Sequence, residues 1–364
     1  MKMKNILKTA AVLSAAVVML SASGCADTTW SIKTDTSTLT NGNWIYYTYT
    51  SYNSAMSKIQ EDSGESFDIK DKNLDDVKVE GKKIVDWISE DAKKSAIAQL
   101  TVEKLAADKK IEVDEEELNS IEEQYLYYYN MGQSFYEKLG VSSNTFANVE
   151  VKTQYLSDLI FKNIYGEGGE KEVTDDELKK YFTDNYTDYY YIAYPLTEMD
   201  DEGNTVDVSD ETKDTITENF AKYAKMLNDD GSDTAAVEEQ FKTDFSTDTV
   251  TKSQNVTILD NAGLSEELAA AIKELDEKKA AVKTVDKTHY VIYKGSISED
   301  ADRISDDAND GDAISRISIL YNMKNDEYKE YLEAEQNKLK YETNDDCISR
   351  YSVQRTIDII KADS

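Results

Sequence analysis

Proline occurs once in this 364-residue chain, at Pro195, and glycine only 14 times. These are the two residues that most often end helices, so long stretches carry nothing to stop one. Abundant Lys, Glu and Ala push the same way. Apolar side chains recur at helical spacing along much of the sequence. Ile84, Ile88, Ala92, Ala96 and Leu100 step by four and predict a helix running to about residue 108. Leu118, Ile121, Tyr125, Tyr128, Gly132, Phe135 and Leu139 alternate steps of three and four, predicting one amphipathic helix of about 25 residues that ends at Gly140. Asp114 and Glu117 form a capping pair at its start. A third helix, from about residue 144, turns Phe146, Val149, Leu156, Ile160 and Ile164 inward and stops at Gly166. Thr174, Asp175, Asp176 and Glu177 then open a short helix through Phe182 as a capping box.

The pattern changes at residue 189. Residues 189–196 (YYYIAYPL) cluster aromatic and β-branched side chains without helical period, which predicts a strand. Helices over about 209–228 and 233–244, a short strand at 255–259, a helix at 264–275 and a final strand at 289–293 follow. Helices return at about 313–340 and 344–361. The expected fold class is therefore α+β. A long-helix domain, discontinuous in sequence, carries an inserted β-α-α-β-α-β unit, and the C-terminal helices pack back on the N-terminal ones. The expected boundaries are 43–185 for the N-terminal helical part, 186–297 for the insert and 298–364 for the C-terminal helices.

The first 24 residues have another character. Lys2, Lys4 and Lys8 precede an apolar run over residues 9–20, then Ser21, Ala22, Ser23, Gly24 and Cys25. This is the layout of a secretory signal peptide, and the run is too short for a membrane-spanning helix of roughly 20 apolar residues. A cysteine directly after small residues resembles a bacterial lipobox, although Ala22 stands where leucine is commonest. The expectation is cleavage after residue 24, lipidation of Cys25, anchorage on the outer side of the cell membrane, and a Thr/Ser/Asp-rich tether over 25–42. An ordinary signal peptide with a chance cysteine is the alternative.

Charge and cysteine content exclude several function classes. Seventy-three acidic against 41 basic residues give a formal charge of −32, and loss of the leader removes three more lysines. Such a surface repels nucleic acid and anionic headgroups. Beyond Cys25 the only cysteine is Cys347, so no internal disulfide framework is expected. One histidine and no Gly-x-Ser-x-Gly rule out a Ser-His-Asp triad, and no His/Cys zinc spacing occurs. The acidic loops near Gly203, Gly231 and Gly311 fail the calcium-loop pattern; around Gly311, Ala308 and Ile317 occupy ligand positions. No metal or other cofactor is expected.

Several phrases resemble a known family. Asn41, Gly42 and Asn43 lead into an aromatic segment. Val113, Asp114, Glu115, Glu116, Glu117 and Leu118 resemble one of the family's helix starts. Val173, Thr174, Asp175, Asp176, Glu177, Leu178, Lys179, Lys180, Tyr181 and Phe182 resemble a later one. Through them most of the mature chain resembles the extracytoplasmic foldases of the PrsA and SurA type. The inserted unit resembles a parvulin-type prolyl isomerase domain in element order and at two points. Phe245, Ser246, Thr247 and Asp248 look like the turn after its second helix, and Val282, Lys283 and Thr284 through His289, Tyr290, Val291 and Ile292 like its closing strand. The resemblance implies that Asp248 takes the Cys/Asp position and His289 that of the second histidine, in a site that cradles a proline ring. The chain departs from the pattern twice. No first-strand histidine stands among Tyr191, Ile192, Ala193 and Tyr194, and residues 251–259 contain no glycine, where the family has a Gly-Gly-Asp-Leu-Gly stretch needing close backbone approach.

Prolyl isomerisation must overcome roughly 18–20 kcal/mol of amide resonance. A site does so by holding the twisted imide better than the planar one. Losing half of a histidine pair removes much of that difference, so a silent isomerase domain is expected, with activity through Asp248 and His289 as the alternative. The leading expectation is an ATP-independent chaperone that binds unfolded exported polypeptides through Tyr125, Tyr127, Tyr128, Tyr129 and Phe135. A surface lipoprotein using both domains as a binding module is the third reading, and a homodimeric cradle stays open.

Overall fold

The computed structural model describes residues 29–64, 69–70, 72–229, 233–306 and 313–363. Cys25, the leader and most of the acidic loop with Gly311 lie outside the described residues, as does Gly231. Contacts divide the chain into two compact units. The first combines Met1–Glu172 with Asn325–Ser364, and the second is Val173–Lys324. The division falls at Val173 and Lys324 rather than at 186 and 297.

The first unit begins where a tether was expected. β1 (Trp30–Lys33) and β2 (Thr38–Thr40) pair antiparallel, with Ile32 and Leu39 buried. Threonine and serine suit a half-buried strand as well as a linker, and here the pairing decides. Thr40 leads into α1 (Asn41–Ser63), where Asn43 Oδ1 accepts from the Thr40 N–H at 3.1 Å. The aromatic segment that could have been a strand is the first half of this helix. After the hairpin β3 (Lys78–Val79) and β4 (Lys82–Lys83), which falls where a loop was expected, comes α2 (Ile84–Asp108). Its i, i+4 row of Ile84, Ile88, Ala92, Ala96 and Leu100 is buried, as the spacing predicted. The 25-residue helix is instead two, α3 (Glu115–Met131) and α4 (Gln133–Leu139), broken at Gly132. Glycine costs about 1 kcal/mol in a helix interior, and the space of its missing side chain is taken by the Tyr136 ring, 2.9 Å from where a Cβ would lie. α5 (Ser143–Ala147) and α6 (Thr153–Tyr165) are joined by a π-helical turn, Asn148–Lys152.

That π turn faces a buried polar chain. Tyr47 on α1 donates its hydroxyl to Gln99 Oε1 on α2 at 2.8 Å, and the Gln99 amide donates to Asn148 Oδ1. Asn43 donates to the same oxygen at 3.4 Å, and Tyr46 donates to Glu150 at 2.8 Å. Polar groups this deep must be paired, so the network fixes how α1, α2 and the turn meet.

In the second unit α7 (Asp175–Asn185) starts with the predicted capping box, Thr174 and Glu177 bonding reciprocally. β5 (Thr187–Pro195) ends at the lone proline, which has no N–H for a longer ladder. β6 (Thr197–Met199) and β7 (Thr205–Asp207) form a hairpin whose Asp200 accepts the N–H groups of Glu202 and Asn204, which hold its carboxyl below the usual range. α8 (Asp210–Asp229) and α9 (Thr234–Phe245) precede β8 (Thr251–Thr257), and α10 (Glu266–Glu274) precedes β9 (Lys279–Val285) and β10 (Thr288–Lys294). The expected single closing strand is thus a hairpin, turning through Asp286 and Lys287, both at positive φ. The four strands run antiparallel in the order β8-β5-β10-β9. Alternate residues face opposite sides. Tyr190, Ile192 and Val291 pack with Phe220 and Tyr223 of α8 and Phe241 of α9, while Tyr189 and Ile292 pack with Leu268 and Ile272 of α10.

α11 (Ile297–Asp300), the short strands β11 (Ile304–Ser305) and β12 (Ile314–Ser315), and α12 (Arg316–Lys338) lead back to the first unit. There β13 (Glu342–Thr343) pairs with β1, and α13 (Asp345–Arg350) and α14 (Val353–Asp363) complete the chain. Val353 and Ile357 share a core with Tyr52 of α1 and Ile84 and Ile88 of α2. Cys347 is buried on α13. Among the described residues no helix is long and apolar enough to cross a membrane.

Gln99→Ala takes the acceptor from Tyr47 and a donor from Asn148. Leaving a buried polar group unpaired costs roughly 1–3 kcal/mol; urea denaturation should show a loss of about 2 kcal/mol with unchanged m value, whereas a change under 0.5 kcal/mol would contradict the network's role.

Candidate functional site

Two sets of residues carry the functional expectations, one in each unit. In the first, Asp114 caps α3 by accepting from the N–H groups of Glu116 and Glu117. Glu117 does not reciprocate as a capping box would; its carboxylate accepts from the Tyr155 hydroxyl at 2.7 Å. Only Leu118 and Tyr129 of α3 are buried. Tyr129 donates to Val141 O at 3.1 Å, stacks on Tyr136 with centroids 5.3 Å apart, and meets Phe146 edge-on. It is a buried core residue, whereas the sequence reading groups it with surface tyrosines. Tyr125 and Tyr128, which the three- and four-residue spacing places on the apolar stripe, are both exposed. The Tyr125–Tyr128 pair lies outside and Tyr129 inside, because the anchor of this segment is the Tyr129–Tyr136 stack across the Gly132 break. Phe135 is half-buried against Tyr49, edge to face at 5.2 Å.

What remains outside is a continuous aromatic surface. Tyr125, Tyr127 and Tyr128 are 39%, 64% and 61% exposed. Tyr128 touches both others edge-on, at 6.0 and 5.8 Å between centroids. Met131, 73% exposed at the helix end, extends the patch and was not singled out from the sequence. Its signal was available, since it stands one turn after Tyr127 and Tyr128. These four are the majority of the seven large hydrophobic side chains exposed among the described residues.

In the second unit, His289 lies on β10, with Tyr194 of β5 directly opposite on one side and Thr284 of β9 on the other. His289 is 8% exposed, its Nδ1 shares a hydrogen bond with Thr284 Oγ1 at 2.8 Å, and the Phe220 ring meets it edge-on at 5.2 Å. Nε2 is buried without a partner. Burial pushes the imidazole below its usual pKa and favours the neutral ring. Tyr194 stacks on Phe245 at 4.2 Å. Aromatic rings thus surround His289 and Tyr194 on this face of the sheet. Asp248 is exposed in the loop after α9, beyond the left-handed Ser246, and no hydrogen bond or ion pair joins it to His289. Asp244, on the last turn of α9, accepts instead from the Tyr223 hydroxyl at 3.0 Å and from Gln240. The glycine-free segment pairs along its length as edge strand β8, Thr251 with Ala193 through Thr257 with Thr187.

No family model matches this chain, and no curated protein matches it. Among solved structures it is similar to the foldase protein PrsA from Lactococcus lactis, at 15% identity and a TM-score of 0.30, over 89% of this chain and 99% of that one. It is also similar to PrsA from Bacillus subtilis, at 14% identity and a TM-score of 0.23, over 79% of this chain and 93% of that one. Neither likeness is close enough to carry a function to this chain.

A buried neutral histidine gives stability a definite sign. Its folded pKa lies below the ordinary value of about 6.5, so stability from this group is full above that pH and falls as pH drops through it, where the unfolded chain takes a proton that the folded one refuses. The His289→Phe variant should therefore gain in Tm relative to the unsubstituted chain between pH 7.5 and pH 5. An unchanged difference between the two pH values would contradict a buried neutral ring.

Proposed function

We propose that this chain is an extracytoplasmic chaperone of the foldase type, held at the membrane by lipidated Cys25, that binds unfolded stretches of exported polypeptides on the α3 surface. The observation that carries the reading is the joined patch of Tyr125, Tyr127, Tyr128 and Met131 on a helix that buries only two of its own side chains. Large exposed apolar patches mark interaction surfaces. Tyrosine joins a flat apolar face to a hydroxyl that tolerates water, and methionine adapts to irregular partners. Contacts of this kind are weak and repeatable, which suits binding followed by release. The acidic surface keeps such a protein soluble while its patch is exposed.

The second unit serves in this reading as an isomerase-like domain without isomerase chemistry. Supporting it are the burial of His289, the tyrosine opposite it and the separate, exposed Asp248. A catalytic pair must reach the substrate and act together; the burial of His289 and the absence of any hydrogen bond or ion pair between it and Asp248 favour a silent domain.

The mature protein should suppress aggregation of a chemically unfolded client at equimolar ratio. Changing Tyr125, Tyr127 and Tyr128 together to Ser should remove more than half of that protection while shifting stability by no more than about 0.5 kcal/mol per site, as exposed positions do. Protection unaffected by the triple change would overturn the proposed surface. With a fluorogenic Xaa-Pro peptide no rate acceleration is expected; acceleration abolished by His289→Ala would show an active isomerase instead. Cys25→Ala should shift the protein from the membrane fraction to the medium, and retention at the membrane would rule out anchorage through this thiol.

A further inference from the structure

The second unit contains a cavity that neither the tyrosine patch nor His289 uses. It opens where β5 begins and β10 ends, beside α11, and measures about 240 Å³. A single ordered water needs only roughly 10–15 Å³, so the space suits a larger occupant. Asp188 and Asp300 line it, together with Tyr190, Tyr293, Gln254 and Gly295.

The two carboxylates are held there incompletely satisfied. Asp300 is 6% exposed; Arg303 holds its Oδ1 at 2.6 Å, while Oδ2 is buried with no hydrogen-bond partner. A buried carboxylate oxygen without a donor is a costly feature that calls for an explanation. Asp188 has no hydrogen bond to its carboxylate among the described residues. Burial, and then the Asp300 charge, push its carboxyl up to about 6, with Arg303 opposing and Glu277 adding. Gly295 preserves this arrangement. Its N–H donates to Asp188 O at 3.0 Å, and a Cβ on it would fall 1.5 Å from Asp188 Oδ2. Any side chain at 295 would displace the carboxylate.

The other charges nearby are committed elsewhere. Lys278 pairs with Glu299, Glu277 accepts from Ser296 at 3.3 Å, and the hydroxyl of Tyr190 points to Glu238. Lys278 and Glu299 also line the cavity, and their pairing with each other leaves the two aspartates without that lysine as a partner. Among the described residues no three His, Cys, Asp or Glu side chains gather as ligands of a metal ion would. An organic cation fits the space better. A planar guanidinium can donate to two carboxylates at once and lie against aromatic rings. Arg303 already demonstrates the contact on the other oxygen of Asp300.

We infer that this cavity binds an arginine guanidinium from another polypeptide, with the carboxylates of Asp188 and Asp300 as acceptors and the rings of Tyr190 and Tyr293 as walls. The inference is independent of the chaperone reading, since it rests on other residues of another unit.

The test is calorimetric titration of the full chain with N-acetyl-arginine amide at pH 7.5 and low salt, beside its neutral isostere N-acetyl-citrulline amide. Saturable one-to-one binding of the arginine compound is expected, at least tenfold tighter than the citrulline compound, and at least tenfold weaker in Asp188→Asn. The unsubstituted chain provides a check that needs no variant. Binding should weaken about tenfold between pH 7 and pH 5, as a carboxylate titrating near 6 takes its proton. Absence of binding, equal binding of the two compounds, or affinity indifferent to Asp188→Asn or to pH would each overturn the inference.

Discussion

The first unit depends on a strand pairing between the two ends of the chain. β1 forms its outer ladder with β13, and Asn344 ties the two by donating its N–H to Ser31 O and its side-chain amide to Trp30 O, 314 positions away. The Trp44 indole donates to Tyr351 O at 2.9 Å and anchors the same return. Val353 and Ile357 then close the core formed by α1 and α2. These contacts cannot exist until nearly all of the chain is available. Loop closure over such a distance costs entropy before any contact repays it. The second unit draws all its strands from 187–315 and needs no such closure, so it can form its core first.

Given that frame, α3 is free to be a poor core helix. α1 and α2 supply the long buried rows, and the network of Tyr47, Gln99 and Asn148 fixes their meeting with the π turn. α3 needs only Leu118 and Tyr129 to stay in place. The Tyr129 anchor is stacked on Tyr136 and bonded to Val141 O, while Tyr125, Tyr127 and Tyr128 stay exposed. Their exposure is therefore a property of the surface and not a failure of packing. The proposed function needs that separation, because residues that hold clients must not also hold the fold.

How much of this was legible depended on whether the deciding interaction was local. The row from Ile84 to Leu100 and the Thr174/Glu177 box were readable because spacing and capping are settled within a few residues. The β1–β2 pair reads as a tether in sequence, since its stabilising partner lies three hundred residues on and its threonines suit either state. Tyr125, Tyr127, Tyr128 and Tyr129 were named together as surface, but tyrosine is at home on both sides of an interface. Only the break at Gly132 and the Tyr136 ring decide that Tyr129 goes in. The β9–β10 hairpin was hidden because Asp286 and Lys287 occupy its turn without a glycine. Asp248 and His289 were joined by resemblance; the fold buries one and exposes the other. The Asp188–Asp300 pair carried no signal at all, as its members come together only through the sheet and Gly295.

Site-specific photocrosslinking tests the central claim most directly. A photoreactive phenylalanine at Tyr127, and in a separate protein at Met199, an exposed hydrophobic of the second unit, would be irradiated with an unfolded client. The account predicts strong crosslinking from position 127, competed away by excess unlabelled client, and little from position 199. Equal crosslinking from both positions, or none from 127, would contradict it.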